Sequence, residues 1–99
     1  MFLHLGKNLV IPIKEVIAII DAELAEKSED TKNFLKVARE EGFIYDLAEK
    51  GIKSYIITEK IERDKANSSE IRKSVIYSSN ISATTLLKRA GFIDNIEEN

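Results

Sequence analysis

The apolar residues of this chain are gathered into short runs, each closed by a glycine, a proline or a charged pair, and a backbone punctuated so often can build only short strands and short helices. Val16 to Ile20 is the strongest such run. It is β-branched at every position except Ala18, which favours a strand buried on both faces. A helix starting at Pro12 is the rival, because proline suits the first helical position and Ile13, Val16, Ile17 and Ile20 fall at helical spacing. Upstream, Phe2 to Gly6 and Leu9 to Ile11 flank a turn-prone Gly6-Lys7-Asn8 and read as a hairpin.

Downstream, residues 21–30 are acid-rich and interspersed with small residues, which predicts a solvated connector. Asp30 or Thr31 then caps a helix whose apolar stripe is Phe34, Leu35 and Val37-Ala38 and which stops at Gly42. Phe43 to Leu47 and Ser54 to Thr58 read as strands around the polar segment 48–53, and hence as a second hairpin. Residues 59–73 are charge-rich, with Asn67-Ser68-Ser69 as a flexible tip, and a strand follows at Val75 to Tyr77. Ser82 caps a second helix, Ala83 to Ala90, with Gly91 in the left-handed stop position. The order β-β-β-α-β-β-β-α describes a small single α+β domain of antiparallel strands with two helices over residues 1–91, followed by an acidic tail over 92–99.

Charge is sorted along this frame. Residues 1–49 hold six Lys/Arg against ten Asp/Glu, residues 50–89 hold nine against four, and residues 90–99 hold none against three. The formal net of -2 thus conceals a segment of +5, which is a reasonable phosphate-binding surface. Within it, Lys50 and Lys53 flank Gly51 in a turn, Arg72-Lys73 precede a strand, and Lys88-Arg89 occupy the last turn of the second helix. Each pair also has a plainer reading, as solvated turn charge or as cations meeting a helix C-terminus. Tyr45, Tyr55 and Tyr77 all fall in strands, where packing is favoured over base stacking.

Other chemistry is sparse. The single histidine, His4, lies in a strand, where it reads as a satisfied or half-exposed residue, so neither a hydrolytic triad nor a zinc site can be assembled around it. The carboxylate pairs Glu40-Glu41 and Glu97-Glu98 point in different directions on a helix, and the four glycines fall at turns and stops, not in a phosphate loop. The expectation is a protein that is not an enzyme, with no cofactor, metal, small-molecule substrate or membrane partner. Absence of cysteine suits a reducing compartment, and no apolar run approaches spanning length, so the expected location is cytoplasmic. At 99 residues, one core is close to self-sufficient yet small enough for self-association to help.

Several ordered stretches together resemble a known family. Met1-Phe2-Leu3-His4-Leu5-Gly6, Ile11 to Asp21, the Phe34 to Gly42 helix ending Ala38-Arg39-Glu40-Glu41-Gly42, Lys53 to Thr58, and Ile81 to Ala90 are similar to the RemA/RemB family of extracellular matrix regulatory proteins, on its RemB-like side. The likeness runs from Met1 to Ala90. It implies a regulator of biofilm matrix genes whose small subunits close into a homo-oligomeric ring, with double-stranded DNA following a repeated basic rim. The basic contacts implied for this chain are Lys14, Lys50 and Lys53, with Arg72 and Lys73 as candidate auxiliaries. The turn Glu49-Lys50-Gly51-Ile52-Lys53 lacks the arginines of the RemA branch, and Lys60 to Lys73 is expanded relative to it, so a weaker phosphate grip is expected. The alternative from another class is a ring-forming adaptor whose acidic and basic faces dock onto each other or onto a protein.

Overall fold

The structure is a computed structural model that describes residues 1–92. The chain opens with the expected hairpin, β1 (Phe2–Gly6) and β2 (Leu9–Pro12), paired antiparallel with Leu3 opposite Ile11. Both readings of the next stretch are partly realised. Pro12 is extended and starts a single 3-10 turn, Ile13–Glu15, after which β3 (Val16–Asp21) is a strand, as its β-branched side chains favour.

The acid-rich segment is a connector only at its hinge, which corrects the sequence expectation. Asp21 Oδ2 accepts the Leu24 amide at 2.9 Å and caps a short helix, α1 (Ala22–Glu26). Ser28, not Asp30 or Thr31, caps α2 (Glu29–Glu40), where its Oγ accepts the Thr31 amide and Glu29 and Asp30 occupy the favourable first turn. The acids that looked like solvating charge are helix-starting charge. Among the described residues the α-helices are therefore three, because α3 (Ala83–Ala90) lies where expected, with Ser82 as its cap and Gly91 left-handed at φ +77.

The second hairpin does not form. After α2 comes β4 (Ile44–Asp46), which pairs in parallel with β6 (Glu70–Ser79), while β5 (Ser54–Arg63) lies between β3 and β6. The four-stranded order is β3-β5-β6-β4. Helix α2 lies across one face and delivers β4 to the far edge, and the 47–53 segment then returns over the sheet end to start β5. Charge content also hid strand. Residues 59–63 and 70–74 continue β5 and β6 as a ribbon, and the long axis of the molecule reaches 52 Å. Its tip, read as flexible, is closed by the Asp64 amide on Ser69 O and by the Asn67 side chain accepting from the Ser69 amide. Of the acidic tail, residues 93–99 lie outside the described residues.

Alternation along β5 and β6 sends side chains to two cores. Ile56 faces the hairpin and α3, in a cluster with Leu3, Leu5, Ile11, Leu47, Leu86 and Ala90. Ile76 faces the helices, against Ala25, Leu35 and Ala38, with Ile57 and Ile20 partly buried beside it. One end of the sheet carries buried serines. Ser79 Oγ donates to Leu5 O at 2.6 Å and accepts the Ile81 amide at 3.0 Å, while Ser54, opposite it in register, donates to Ile81 O at 2.7 Å. Both serines are fully buried. One hydroxyl thus joins the end of β1, the end of β6 and the approach to α3. Ser79→Ala strands a half-buried amide and a buried carbonyl, and should cost about 1–3 kcal/mol in chemical denaturation; a loss below about 0.5 kcal/mol, as for a surface substitution, would contradict this role.

Candidate functional site

The five cations singled out from the sequence fall in three places. Lys50 and Lys53 lie on the 47–53 loop, which is fixed at both ends: the Leu47 amide donates to Ser78 O at 3.0 Å and the Lys53 amide to Ser79 O at 2.8 Å. Between them Gly51 sits at φ +73, in a region that favours glycine. The Lys53 carbonyl also accepts the Ala22 amide, so Lys53 stands beside α1, on a groove lined by Asp21, Glu23 and Glu26.

Lys14 is elsewhere. It lies in the 3-10 turn before β3, on a groove it shares with Glu15, Glu59 and Lys60 at the root of the ribbon. Val16 registers with Thr58 and Asp21 with Ser54, so the span between the Lys14 end and the Lys53 end is about four residues of strand, roughly 13 Å. A single subunit does not gather Lys14, Lys50 and Lys53 into one patch.

Arg72 and Lys73 are on the ribbon, where successive residues point to opposite faces and cannot both meet one flat partner. Both are also engaged. Arg72 Nη1 lies 3.1 Å from Glu59 Oε1, and Lys73 Nζ lies 3.2 Å from Glu62 Oε1, with Lys60 on the other oxygen of Glu62 at 3.5 Å. Lys73, then Lys60, holds the exposed Glu62 carboxyl below its ordinary range. Arg63 and Glu70 pair nearer the tip at 3.7 Å. The ribbon is charge-rich yet largely self-neutralised. Of these five cations, Lys14, Lys50 and Lys53 form no ion pair among the described residues, as is also true of Lys7, Lys27, Lys36, Lys65 and Arg89.

One further cation shares the Lys50 end of the sheet. Lys7, in the β1–β2 turn, lines a groove with Leu47, Ala48, Glu49, Lys50 and Asn80. Nothing in its local sequence separates it from ordinary turn charge; the long-range docking of Gly6 beside Leu47 and Ser79 brings it there. His4 is the strand residue expected, its Nε2 donating to Lys7 O at 2.8 Å. Of the tyrosines, Tyr45 and Tyr77 meet edge to face at 5.9 Å, which is a packing arrangement.

On the helix-covered face the electrostatics are structural. Arg39 grips Asp46 through both guanidinium nitrogens, at 2.9 and 3.1 Å, and Ser78 Oγ donates to Asp46 Oδ1 at 2.7 Å, tying α2 to the end of β4. The Arg39 hydrogen bonds hold the Asp46 carboxyl below its ordinary range, against the opposing effect of burial. A lowered folded pKa stabilises above the unfolded value, about 4, and that stabilisation fades as pH falls through the folded pKa. Both side chains are about half exposed, which limits the contribution to about 1 kcal/mol. Asp46→Asn should therefore lower the melting temperature at pH 7 but not near pH 2; an equal deficit at both pH values would contradict this.

Among the described residues no group of three His, Asp or Glu side chains could hold a metal ion, and no helix is long and apolar enough to cross a membrane. A search of curated proteins found no match to the chain. The family model for RemA-like proteins, described as extracellular matrix regulatory protein A-like, matches residues 2–90, nearly the whole described chain. On that match the chain belongs to the RemA-like family of matrix regulatory proteins.

Proposed function

We propose that this chain is a non-enzymatic cytoplasmic regulator that closes into a ring-like homo-oligomer, binds double-stranded DNA through a repeated basic patch and thereby controls transcription of biofilm matrix genes. The observation that carries this reading is the distribution of unpaired charge in a family member. In a chain of net -2, the ribbon cations are neutralised, whereas Lys14, Lys50 and Lys53 form no ion pair among the described residues and sit on turns fixed to the sheet. Lysines on anchored turns meet phosphates with little ordering cost.

A few ammonium groups per subunit grip DNA weakly, and a ring changes that by making each later contact intramolecular. Self-association is supported by the open outer edges of β3 and β4 and by the apolar side chains exposed at or near them, Ile17 at 61%, Phe43 at 46% and Tyr45 at 59%. A ring also offers a way to place Lys14 of one subunit near Lys50 and Lys53 of the next.

The second reading, a ring-forming adaptor for a protein partner, is favoured by one observation: the groove beside Lys53 is lined by Asp21, Glu23 and Glu26, which would repel a phosphate. Light scattering combined with anisotropy of a labelled duplex separates the two. The DNA reading requires a mass several times 11.2 kDa, and binding at low salt that Lys50→Ala weakens about fivefold or more while Arg72→Ala changes it little. An intact oligomer that binds no duplex at low salt transfers the function to the adaptor.

A further inference from the structure

The hairpin turn supplies a cation that neither the sequence pattern nor the family assignment points to. Lys7 and Lys50 line one open groove of about 310 Å³, together with Asn80 and Glu49. The two ammonium groups outnumber the single carboxylate there, and neither forms an ion pair among the described residues. A tetrahedral anion is the ligand this combination suits: two ammonium donors and a side-chain amide lining the same groove.

The walls are fixed independently of any ligand. Gly6 stands at φ +138, and a Cβ placed there would lie 3.7 Å from Ser79 Oγ and 4.0 Å from Leu47, so the turn is seated on the start of the 47–53 loop. Ser79 holds the preceding Leu5 carbonyl, and through its own carbonyl it also holds the Lys53 amide at the far end of that loop. His4 secures Lys7 from behind through the Lys7 carbonyl. Lys7 itself is at φ +47, a left-handed conformation in which asparagine or glycine would be less strained. A lysine kept where a turn would prefer another residue is strain of the kind found at functional positions.

We propose that Lys7 and Lys50 together grip one backbone phosphate of duplex DNA, with Asn80 as a neutral donor, making the hairpin turn part of the interface. This rests on the DNA-binding reading above and extends it to a residue outside the family's implied contacts.

The strain at Lys7 supplies the test, because Lys7→Asn removes the charge while suiting the turn better. The full chain and the Lys7→Asn, Lys7→Arg and Lys50→Ala variants are titrated into a labelled duplex over a salt series, and the melting temperature of each is measured. The expected result is that Lys7→Asn melts at or above the parent, binds about fivefold or more weakly at low salt, and has a salt dependence shallower by ~0.9 for each phosphate it no longer neutralises. Lys7→Arg keeps the affinity. If the parent binds and Lys50→Ala is impaired but Lys7→Asn binds as the parent does, Lys7 is not part of the site and the DNA reading stands. If Lys7→Asn weakens binding only with an equal fall in melting temperature, or Lys7→Arg fails to restore it, the role of Lys7 is structural and the proposal is overturned. A parent that binds no duplex at low salt overturns the proposal and the reading it rests on.

Discussion

The end of β6 is the fixed point from which the end of the molecule that carries Lys7, Lys50 and Lys53 is built. Ser78 and Ser79 are both fully buried, and their hydroxyls and carbonyls hold five other residues. Ser79 takes the end of β1 and the approach to α3, and its carbonyl takes Lys53. Ser78 takes Asp46, and its carbonyl takes Leu47. Buried hydroxyls are tolerated only when satisfied, and no described buried side-chain polar atom lacks a partner. Serine suits this work because a larger polar side chain would not fit between the hairpin and the sheet, and an apolar one would leave the backbone groups unmet. The consequence is that two lysine-bearing loops are held rigidly to one end of the sheet.

At the opposite end the same sheet behaves differently. Beyond Thr58 and Val75 no core lies under β5 and β6, and a two-stranded ribbon alone is marginal in water. Alternating ion pairs on its two faces, Glu59 with Arg72 on one and Glu62 with Lys60 and Lys73 on the other, compensate in part. Each is worth little by itself because all are exposed. Their larger effect is on charge, since they leave the ribbon close to neutral.

Much of this was legible in the sequence. The first hairpin, the β3 strand, the last helix with its Ser82 cap and Gly91 stop, and the α+β class follow from periodicity and turn chemistry, which are local signals. The misses share a cause. Phe43 to Leu47 lies close in sequence to Ser54 to Thr58, and proximity favours a hairpin, but the path of α2 over the sheet decided that β4 reaches β6 in parallel. The ribbon strands lacked an apolar alternation because both their faces are wet, so charge concealed extended structure. Acids at residues 21–30 read as solvation because a capping aspartate and a first-turn glutamate carry the same charge as a linker. Of the candidate site, the placement of Lys50 and Lys53 on a turn around Gly51 was readable. The pairing of Arg72 and Lys73 was not, because it depends on cross-strand register.

In the proposed reading, the lysines of one subunit are too few and too dispersed to hold DNA, and repetition in a ring makes the patch effective. The measurement that tests this most directly is the slope of log affinity for a duplex against log salt concentration. Each phosphate neutralised contributes ~0.9, so even four lysines of one subunit could give no more than about 3.6. A DNA-binding ring gives a magnitude well above that, from contacts summed over several subunits. A slope at or below the single-subunit limit, with duplex still bound, would contradict it.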